Sequence, residues 1–324
     1  MIDYDVIIIG AGPAGMAVAV SVYESGVKSI LVLDRNAHLG GILKQCIHDG
    51  FGLVRFEESL TGPEYAARYS SMLHDMQIDV ILNAMVTTLT PERDVHCVTR
   101  SGVQSYKAKA VILSTGCRER TRGMLELPGT RPSGIYTAGV AQKLINIQNI
   151  RIGDKVVILG SGDVGMIMAR RMTLEGMDVI CVLEKLPHLS GLIRNKNQCL
   201  DDYHIPLKLC QTVVDIHGSE RLEFVTAASV DKEGDIITGS EYEIKCDTLV
   251  LSVGLIPENE LAKACGIVID DNGGPKVNDR FETSVEGIFS AGNSLHVHDL
   301  ADYASEEGAK VGQYAANFVL CGVK

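Results

Sequence analysis

"VIIIGAGPAGMAVAVS" at residues 6–21 and "VVILGSGDVGMIMARR" at residues 156–171 are two versions of one pattern, and together they decide the fold. When the chain is shifted along itself by 150 residues, the glycines of the two stretches coincide: Gly10, Gly12, Gly15, Gly160, Gly162 and Gly165. Each stretch starts as an apolar run and continues as a helix-like sequence. An acid, Asp34 or Glu184, follows 19 residues after the third glycine. This spacing predicts the β–turn–α–β dinucleotide unit twice, and therefore an α/β fold with two Rossmann-like domains.

The residue types of this pattern have a chemical reason. The first glycine allows a tight turn, the second lets the backbone approach a pyrophosphate, and the third lets helix and strand pack closely. The N-terminus of the helix then offers N–H groups and a partial positive charge to the phosphates. The acid at the end of the second strand is suited to accept hydrogen bonds from an adenosine ribose.

The order of the motifs predicts a discontinuous first domain. "AVILSTGC", which ends at Cys117, reads as a buried strand and a turn, and a Gly- and Pro-rich crossover follows it at residues 125–144. The tail contains a strand-like "GIFSAG" at residues 287–292 but no third glycine pattern. We therefore expect residues 1–117 and 255–324 to form one domain, with residues 118–254 inserted as the second.

Composition excludes several classes of function. The 324 residues carry a formal net charge of −11, which argues against DNA or RNA as the main partner. No apolar run is long enough to span a bilayer, and no signal peptide precedes the first strand, so we expect a cytoplasmic protein without a transmembrane segment. The nine cysteines include no C-x-x-C pair and are expected to be mostly buried thiols.

The motifs resemble those of the flavoproteins with two dinucleotide-binding domains, specifically the thioredoxin-reductase-like branch. They cover almost the whole chain in the family's order: "GAGPAG", "GGIL…LTGPEY", "STG", "LPG", "GSGDVG", "VGLIPEN" and "GIFSAGN". The resemblance implies FAD in the first domain and a nicotinamide dinucleotide in the second, inserted domain.

The resemblance also implies which residues bind each cofactor. The FAD contacts that it implies are Gly10, Gly12, Pro13, Ala14, Gly15, Asp34, Arg35, Gly41, Val86, Thr115, Gly116, Gly292 and Asn293. The NAD contacts that it implies are Gly160, Gly162, Asp163, Val164, Gly165, Glu184 and Gly254. Glu184 favours NAD(H), because a carboxylate accepts from a ribose 2′-hydroxyl and repels a 2′-phosphate; the neighbouring Lys185 weakens the preference, so NADP(H) is the second choice.

A narrower resemblance concerns "GGILKQCIHDGFG", "STGCRERTRG" and "GNSLHVHDL". These segments are similar to flavoproteins that accompany glycerol-3-phosphate dehydrogenase-like proteins in bacteria. They are also similar to the FAD subunits of opine oxidase, proline dehydrogenase and hydrogen cyanide synthase complexes. This resemblance implies an electron-transfer or dehydrogenase partner protein, and it leaves a homodimer open.

The sequence departs from the family pattern at two places. A thioredoxin reductase has a C-x-x-C just before the second glycine pattern, where this chain has "YTAGVAQ", and Cys46 stands alone in the first domain. Because a disulfide relay needs two thiols, we expect no disulfide reductase activity. Asn293 replaces the family's acid beside the flavin ribityl chain, where an amide can still hydrogen-bond.

Single residues leave alternatives open. Cys46 and Cys117 are either thiols near the flavin or packed side chains, and His48 is either close to the flavin or exposed. Arg118 and Arg120 could hold a phosphate or a partner's carboxylate, or form a solvated hinge. His296 and His298 suggest zinc, but no third ligand follows at metal spacing, so we expect no metal there. The favoured alternative is a position at the pyrimidine end of the flavin, where the N-terminus of the following helix can stabilise a reduced, anionic flavin. Cys46, His296 and His298 are thus the candidate catalytic residues.

These observations predict an FAD-dependent NAD(P)H oxidoreductase that passes hydride between a nicotinamide and FAD. Its electrons would be exchanged with a partner protein, as a component of a glycerol-3-phosphate dehydrogenase-like system. One alternative is a non-catalytic FAD-binding subunit of a multi-component amine, opine or proline dehydrogenase. A dehydrogenase that acts directly on an amine or hydroxy acid is disfavoured, because the chain has no evident substrate-binding domain.

Overall fold

The computed structural model describes residues 2–322. The chain separates into two compact units: one is the chain up to Arg118 together with the chain from Ile256 onward, and the other is Glu119–Leu255. The outer limits of the expected first domain, residues 1 and 324, lie outside the described residues. Each unit contains a set of parallel strands with helices packed against them, so the predicted α/β class with two Rossmann-like domains is confirmed.

The helices and strands follow one another along the chain in three sections. The first section contains β1 (Ile2–Ile9), α1 (Pro13–Glu24), β2 (Ile30–Leu33), α2 (Gly62–Asp75), β3 (Asp79–Ile81), β4 (Met85–Leu89), β5 (Asp94–Thr99), β6 (Gly102–Leu113) and β7 (Cys117–Glu119). The second contains β8 (Ile135–Thr137), α3 (Ala138–Asn146), β9 (Lys155–Leu159), α4 (Asp163–Leu174), β10 (Asp178–Glu184), α5 (Ile193–Cys199), β11 (Leu207–Leu209), β12 (Gln211–Gly218), β13 (Leu222–Ser229), β14 (Tyr242–Lys245) and β15 (Thr248–Leu251). The third contains β16 (Leu255–Pro257), α6 (Glu260–Ala264), β17 (Ile288–Ser290) and α7 (Ala301–Cys321).

The first unit contains a seven-stranded sheet in the order β3-β2-β1-β6-β5-β4, with β17 also paired to β6. Strand β1 runs parallel to β2 and to β6, where Ile9 lies opposite Leu113. Strand β1 occupies one edge of β6, and two strands share the other edge. There, β5 pairs antiparallel with the first half of β6, and β17 pairs parallel with the last three residues of β6. The carboxyl ends of β1, β6 and β17 therefore meet at one edge of the sheet.

The buried faces follow from the residue types. Residues 6–9 of β1 and all of β2 are buried, as expected for β-branched and leucine side chains in a central parallel strand. Helix α2 begins with a reciprocal capping box, because the Thr61 side chain accepts from the Glu64 N–H while Glu64 accepts from the Thr61 N–H. Its buried Tyr65 donates a hydrogen bond to Ser305 of α7, at 2.8 Å, which ties the two helices together.

Helices α1 and α7 pack closely because α7 presents glycines to α1. A Cβ atom on Gly308 would lie 2.4 Å from the Ala14 carbonyl oxygen, and one on Gly312 would lie 2.8 Å from that of Val18. The Ser21 hydroxyl also donates to the Ala309 carbonyl at 2.6 Å. The tail of the chain thus completes the core around the first glycine turn.

The second unit repeats the parallel arrangement. Its five-stranded sheet has the order β11-β10-β9-β15-β8, and all the pairs are parallel. An antiparallel sheet of β12, β13 and β14 packs against one side, where Val213, Ile216 and Val225 share a core with Leu183 of β10. This layer covers one face of the sheet, while α3 and α4 contribute to the core on the other.

Candidate functional site

The first glycine turn joins β1 to α1, and its three glycines have different surroundings. Gly10 has φ +105°, and a Cβ atom there would lie 2.2 Å from the Ser114 carbonyl oxygen. A Cβ atom on Gly15 would lie 1.9 Å from the Gly10 carbonyl oxygen. A Cβ atom on Gly12 would meet nothing within 4 Å. Packing therefore demands glycine at the outer two positions, while the middle one faces open space.

The start of α1 provides hydrogen-bond donors to that space. Gly12 is the N-cap of the helix and Pro13 its first residue, and no side chain caps the helix. The first N–H groups of a helix have no partner within it, and they carry its positive end. An open volume beside uncapped N–H groups fits a phosphate group, so the residues present fit the pyrophosphate of a dinucleotide.

Asp34, the acid after β2, is buried at the edge of this space, with 6% of its surface exposed. Its carboxylate accepts N–H groups from Ala11 and Asn36, each at 2.7 Å. A carboxylate has about four acceptor positions, so two remain for further donors. Arg35 is exposed. Val86 is buried in β4. Ala84, two residues before it, donates its N–H to the Asp34 carbonyl.

Other segments with expected FAD contacts also reach this edge. Gly40 donates its N–H to the Ala11 carbonyl at 2.8 Å, and a Cβ atom on Gly41 would lie 3.2 Å from the Cα atom of Gly12. Thr115 and Gly116 follow β6, and both form hydrogen bonds with Glu258. The Thr115 hydroxyl donates to the Glu258 carbonyl, and the Glu258 N–H donates to the Gly116 carbonyl.

Gly292 and Asn293 approach the turn from β17. A Cβ atom on Gly292 would lie 2.5 Å from that of Ala14, so this glycine permits close contact with α1. The Asn293 side chain accepts the His298 N–H at 3.0 Å and donates to the Cys117 sulfur at 3.5 Å. The structure thus brings together two sequence candidates, Asn293 and His298, and holds them beside Cys117.

Cys46 lies in the segment between Gly41 and α2, just after a short 3₁₀ helix (Gly41–Gln45). Its thiol contacts the Ile42 carbonyl oxygen at 3.4 Å, and burial raises its pKa to about 12. A thiol with such a pKa is protonated at neutral pH, and the thiolate is the nucleophile. The surroundings of Cys46 therefore argue against its role as a catalytic thiol. His48 is partly buried and contacts the Phe51 ring.

Arg118 has internal partners. Its guanidinium pairs with the carboxylates of Glu258, at 2.9 Å, and Glu260. The pKa of Glu260 is lowered to about 2 by its interaction with Glu258 and by Arg118, against the effect of its partial burial. Arg118 therefore serves as the counter-ion of two acids of its own unit.

The second glycine turn, between β9 and α4, repeats the first. A Cβ atom on Gly160 would lie 2.0 Å from the Ser252 carbonyl oxygen, and one on Gly165 would lie 2.7 Å from the Ser252 side chain. On Gly162 its nearest neighbour would be the Ser252 hydroxyl at 3.4 Å, an ordinary contact distance. Helix α4 also lacks a side-chain cap. The second unit thus shares with the first the tight outer glycines and the uncapped helix that suit a dinucleotide, although its middle glycine lies in contact with Ser252.

Glu184, the acid after β10, is more fully hydrogen-bonded than Asp34. Its Oε2 accepts from the Ser161 N–H at 2.9 Å and from the hydroxyls of Ser161 and Ser190 at 2.6 and 2.8 Å, and Oε1 accepts the Leu186 N–H at 2.9 Å. Burial acts to raise the pKa of Glu184, but these hydrogen bonds outweigh it and the pKa is lowered. Glu184 is therefore ionised at neutral pH.

Asp163, the first residue of α4, forms hydrogen bonds with the segment at residues 192–195. The Asp163 carboxylate accepts the Leu192 N–H at 2.8 Å and the Asn195 side-chain amide at 2.7 Å. Val164 is partly exposed beside it, and Gly254, with φ +104°, accepts the Arg120 N–H. Asp163, Val164 and Glu184 thus surround the glycine turn, while Gly254 follows β15 on the neighbouring strand.

Sequence reasoning missed the two serines that support the turns. The Ser114 hydroxyl donates to the Gly10 carbonyl at 2.7 Å, and the Ser252 hydroxyl accepts the Gly165 N–H at 3.1 Å. Both serines follow a leucine at the end of a buried strand and precede x-Gly, in "LSTG" and "LSVG". This second repeat within the chain was the signal that could have identified them.

None of the helices in residues 2–322 is both long and apolar enough to cross a bilayer. The model of the family described as "Pyridine nucleotide-disulphide oxidoreductase" matches residues 4–308. Among curated proteins, the thioredoxin reductase of Bacillus subtilis is 29% identical, over 90% of this chain and 86% of that protein. Hydrogen cyanide synthase subunit HcnB of Pseudomonas protegens is 24% identical, over 98% of this chain and 69% of that protein.

Among solved structures, the thioredoxin reductase of T. acidophilum superposes with a TM-score of 0.80 at 24% identity, and it covers 98% of this chain and 99% of that one. This similarity shows the fold. The family match and the two dinucleotide-type turns have the same consequence: the chain belongs to the pyridine nucleotide-disulphide oxidoreductase family and is an FAD-dependent pyridine nucleotide oxidoreductase.

Proposed function

We propose that the protein passes hydride between NAD(H) and FAD and exchanges the electrons with a partner protein. The observation that carries the proposal is the repeated glycine turn, which precedes a helix without a side-chain cap in each unit; the middle glycine faces open space in the first unit and makes only ordinary contacts in the second. The two bound dinucleotides would supply the hydride chemistry, while the chain binds and orients them.

The first unit would hold FAD and the second unit the nicotinamide dinucleotide. Asp34 keeps two acceptor positions for ribose hydroxyls, as an adenosine-binding acid requires. The candidate FAD residues are those at the carboxyl ends of β1, β2, β6 and β17, together with Gly41 and Val86. The candidate nicotinamide-dinucleotide residues are those of the second turn, together with Glu184 and Gly254.

Glu184 supports the choice of NAD(H) over NADP(H). Its carboxylate is ionised and held by four donors, so it cannot swing away from a 2′-phosphate without losing those hydrogen bonds. Its Oε1 accepts one N–H and keeps capacity for a ribose 2′-hydroxyl. We therefore propose that NADH reduces the flavin faster than NADPH does.

We also propose that the protein does not reduce disulfides. The sequence contains no C-x-x-C, and the thiol of Cys46 has a pKa raised to about 12. A relay through this residue would need a thiolate that neutral pH does not provide. The thioredoxin reductases that the chain matches are thus relatives in fold, and the proposal is that the electron acceptor differs.

The partner would be a protein, as the name "subunit" of HcnB suggests for that relative. We propose that the protein works in the cytoplasm and that its partner is a glycerol-3-phosphate dehydrogenase-like protein, which would dock near residues 117–123 or 295–300.

An anaerobic titration tests the enzyme proposal. FAD-loaded protein is mixed with NADH or NADPH and the flavin absorption band is recorded. We expect NADH to bleach the band stoichiometrically and faster than NADPH. A Gly162→Val variant is the control, because it should keep its FAD and lose reduction by NADH.

A second candidate is a non-catalytic FAD-binding subunit of a multi-component amine, opine or proline dehydrogenase. The similarity to a subunit of hydrogen cyanide synthase favours it. In that case the wild-type protein would bind FAD, but neither NADH nor NADPH would bleach the flavin band.

A further inference from the structure

Three metal-ligating side chains meet in the first unit, at His296, His298 and Glu307. His298 Nε2 lies 3.2 Å from one carboxylate oxygen of Glu307, and His296 Nδ1 lies 3.5 Å from the other. One ligand atom from each residue lies within 4.8 Å of the other two. The sequence places no third ligand at metal spacing beside the two histidines, but helix α7 brings Glu307 next to them.

Neighbouring groups hold two of the three ligands in place. The Gly292 N–H donates to Glu307 Oε1 at 2.7 Å, and the backbone N–H of His298 donates to Asn293 Oδ1 at 3.0 Å. The side chains of Glu307 and His298 are each only 10% exposed. The Gly292 bond orients the carboxylate in the way that supporting hydrogen bonds orient ligands in metal sites, and the Asn293 bond fixes the backbone that carries His298.

We propose that His296, His298 and Glu307 bind one Zn²⁺ ion. Zinc favours imidazole nitrogen and carboxylate oxygen at about 2.0–2.2 Å, and a tetrahedral ion with such bonds has ligands about 3.3–3.5 Å apart. His298 Nε2 lies 3.2 Å from Glu307 Oε1 and His296 Nδ1 lies 3.5 Å from Oε2, so each imidazole is close to this separation from one of the two carboxylate oxygens. Calcium and magnesium prefer sites made of oxygen ligands, so a site with two imidazoles selects against them.

The fourth position of the ion would be open to a small ligand. The His296 side chain is 46% exposed, so solvent reaches this side of the cluster, whereas His298 and Glu307 close the other. Two histidines, one glutamate and a water are a ligand set used by catalytic zinc. The ion would thus offer a Lewis-acid position to water or to an oxygen atom of a small anion.

The competing interpretation is a hydrogen-bonded network without metal, in which Glu307 contacts both imidazole rings. This interpretation predicts no saturable zinc binding, and the experiment below distinguishes it from the proposal.

The test is a zinc titration of the tag-free, FAD-loaded protein after treatment with a chelator and dialysis. Isothermal calorimetry with ZnCl₂ should give one ion per chain. His298→Ala and Glu307→Gln should each weaken binding by at least about 100-fold, the upper end of what the loss of an outer-shell partner alone causes. The control is His74→Ala: within residues 2–322, His74 faces Asp75 but belongs to no such three-residue group.

The flavin content of each variant is measured from its absorption spectrum in the same samples. If Glu307→Gln loses FAD, His296→Ala decides instead, because His296 is the most exposed ligand and the least involved in packing. Absence of saturable binding in the wild type, or equal affinity in the wild type and His296→Ala, would overturn the proposal. The result does not depend on whether NADH reduces the flavin.

Discussion

Gly12 and Gly15 are three residues apart and should respond differently to a side chain. A Cβ atom on Gly12 meets nothing within 4 Å, whereas on Gly15 it would overlap the Gly10 carbonyl. We predict that Gly12→Val folds with nearly wild-type stability but is purified without FAD, because the side chain fills the proposed pyrophosphate space. Gly15→Val should instead fail to fold. Flavin absorbance and urea unfolding separate the two effects, and a Gly12→Val protein with stoichiometric FAD would contradict the assignment.

Glu184 and Lys185 are adjacent residues with opposite charges next to the proposed adenosine ribose. We predict that Glu184→Gln narrows the NADH preference in kcat/KM by about 10-fold, since a hydrogen bond to a charged group contributes about 1.5 kcal/mol or more. Lys185→Ala is the matched control and should widen the preference, because it removes a cation that attracts a 2′-phosphate. A wild-type enzyme that prefers NADPH would refute the cofactor proposal.

Cys46 should be chemically inert at neutral pH. Because its pKa is raised to about 12, its reaction with iodoacetamide should be slow at pH 8 and should still be accelerating at pH 11, without reaching a plateau. The exposed Cys321 serves as the internal reference in peptide mass spectrometry. NADH-driven dye reduction should survive replacement of both Cys46 and Cys117 by Ser. Loss of dye reduction in an FAD-loaded Cys46→Ser protein would make Cys46 a catalytic residue.

Helices α1 and α7 depend on the absence of side chains at their contact. Alanine normally favours a helix over glycine by about 1 kcal/mol, but a Cβ atom on Gly308 would lie 2.4 Å from the Ala14 carbonyl oxygen. We therefore predict that Gly308→Ala destabilises the protein by about 1–3 kcal/mol, the usual effect of overpacking. Urea unfolding measures the change. Lys310→Ala, on the exposed side of the same helix, should change stability by less than about 0.5 kcal/mol.

The elements that could be predicted from sequence are those in which the backbone conformation or a close backbone contact allows only one residue type. Gly10 and Gly15 are required by contacts with backbone atoms, so the turn and its flanking strand and helix are visible as a pattern. The Glu307 contact could not be predicted, because it depends on how α7 packs beside the loop after β17. The antiparallel sheet of β12–β14 was also missed, since its half-buried strands show no comparable motif.

At the scale of the whole molecule, the first unit is assembled from two distant parts of the chain. Strand β17 and helix α7 follow the second unit in sequence, whereas Glu119–Leu255 is continuous. We predict that a chain truncated after residue 286 still folds its second unit and fails to form the first. Limited proteolysis should yield a protected fragment near residues 119–255 and no protected N-terminal fragment, while the full-length chain protects both. FAD binding by the truncated chain would argue against this dependence.

The late position of α7 has a consequence during protein synthesis. Roughly 280 residues separate the end of α1 from the start of α7, and ribosomes add about 5–20 residues per second. The apolar face of α1 that α7 covers is therefore exposed on the nascent chain for about 14–55 s. During that interval the second unit can emerge and fold, while the segment made first presents exposed apolar surface of the kind that promotes aggregation.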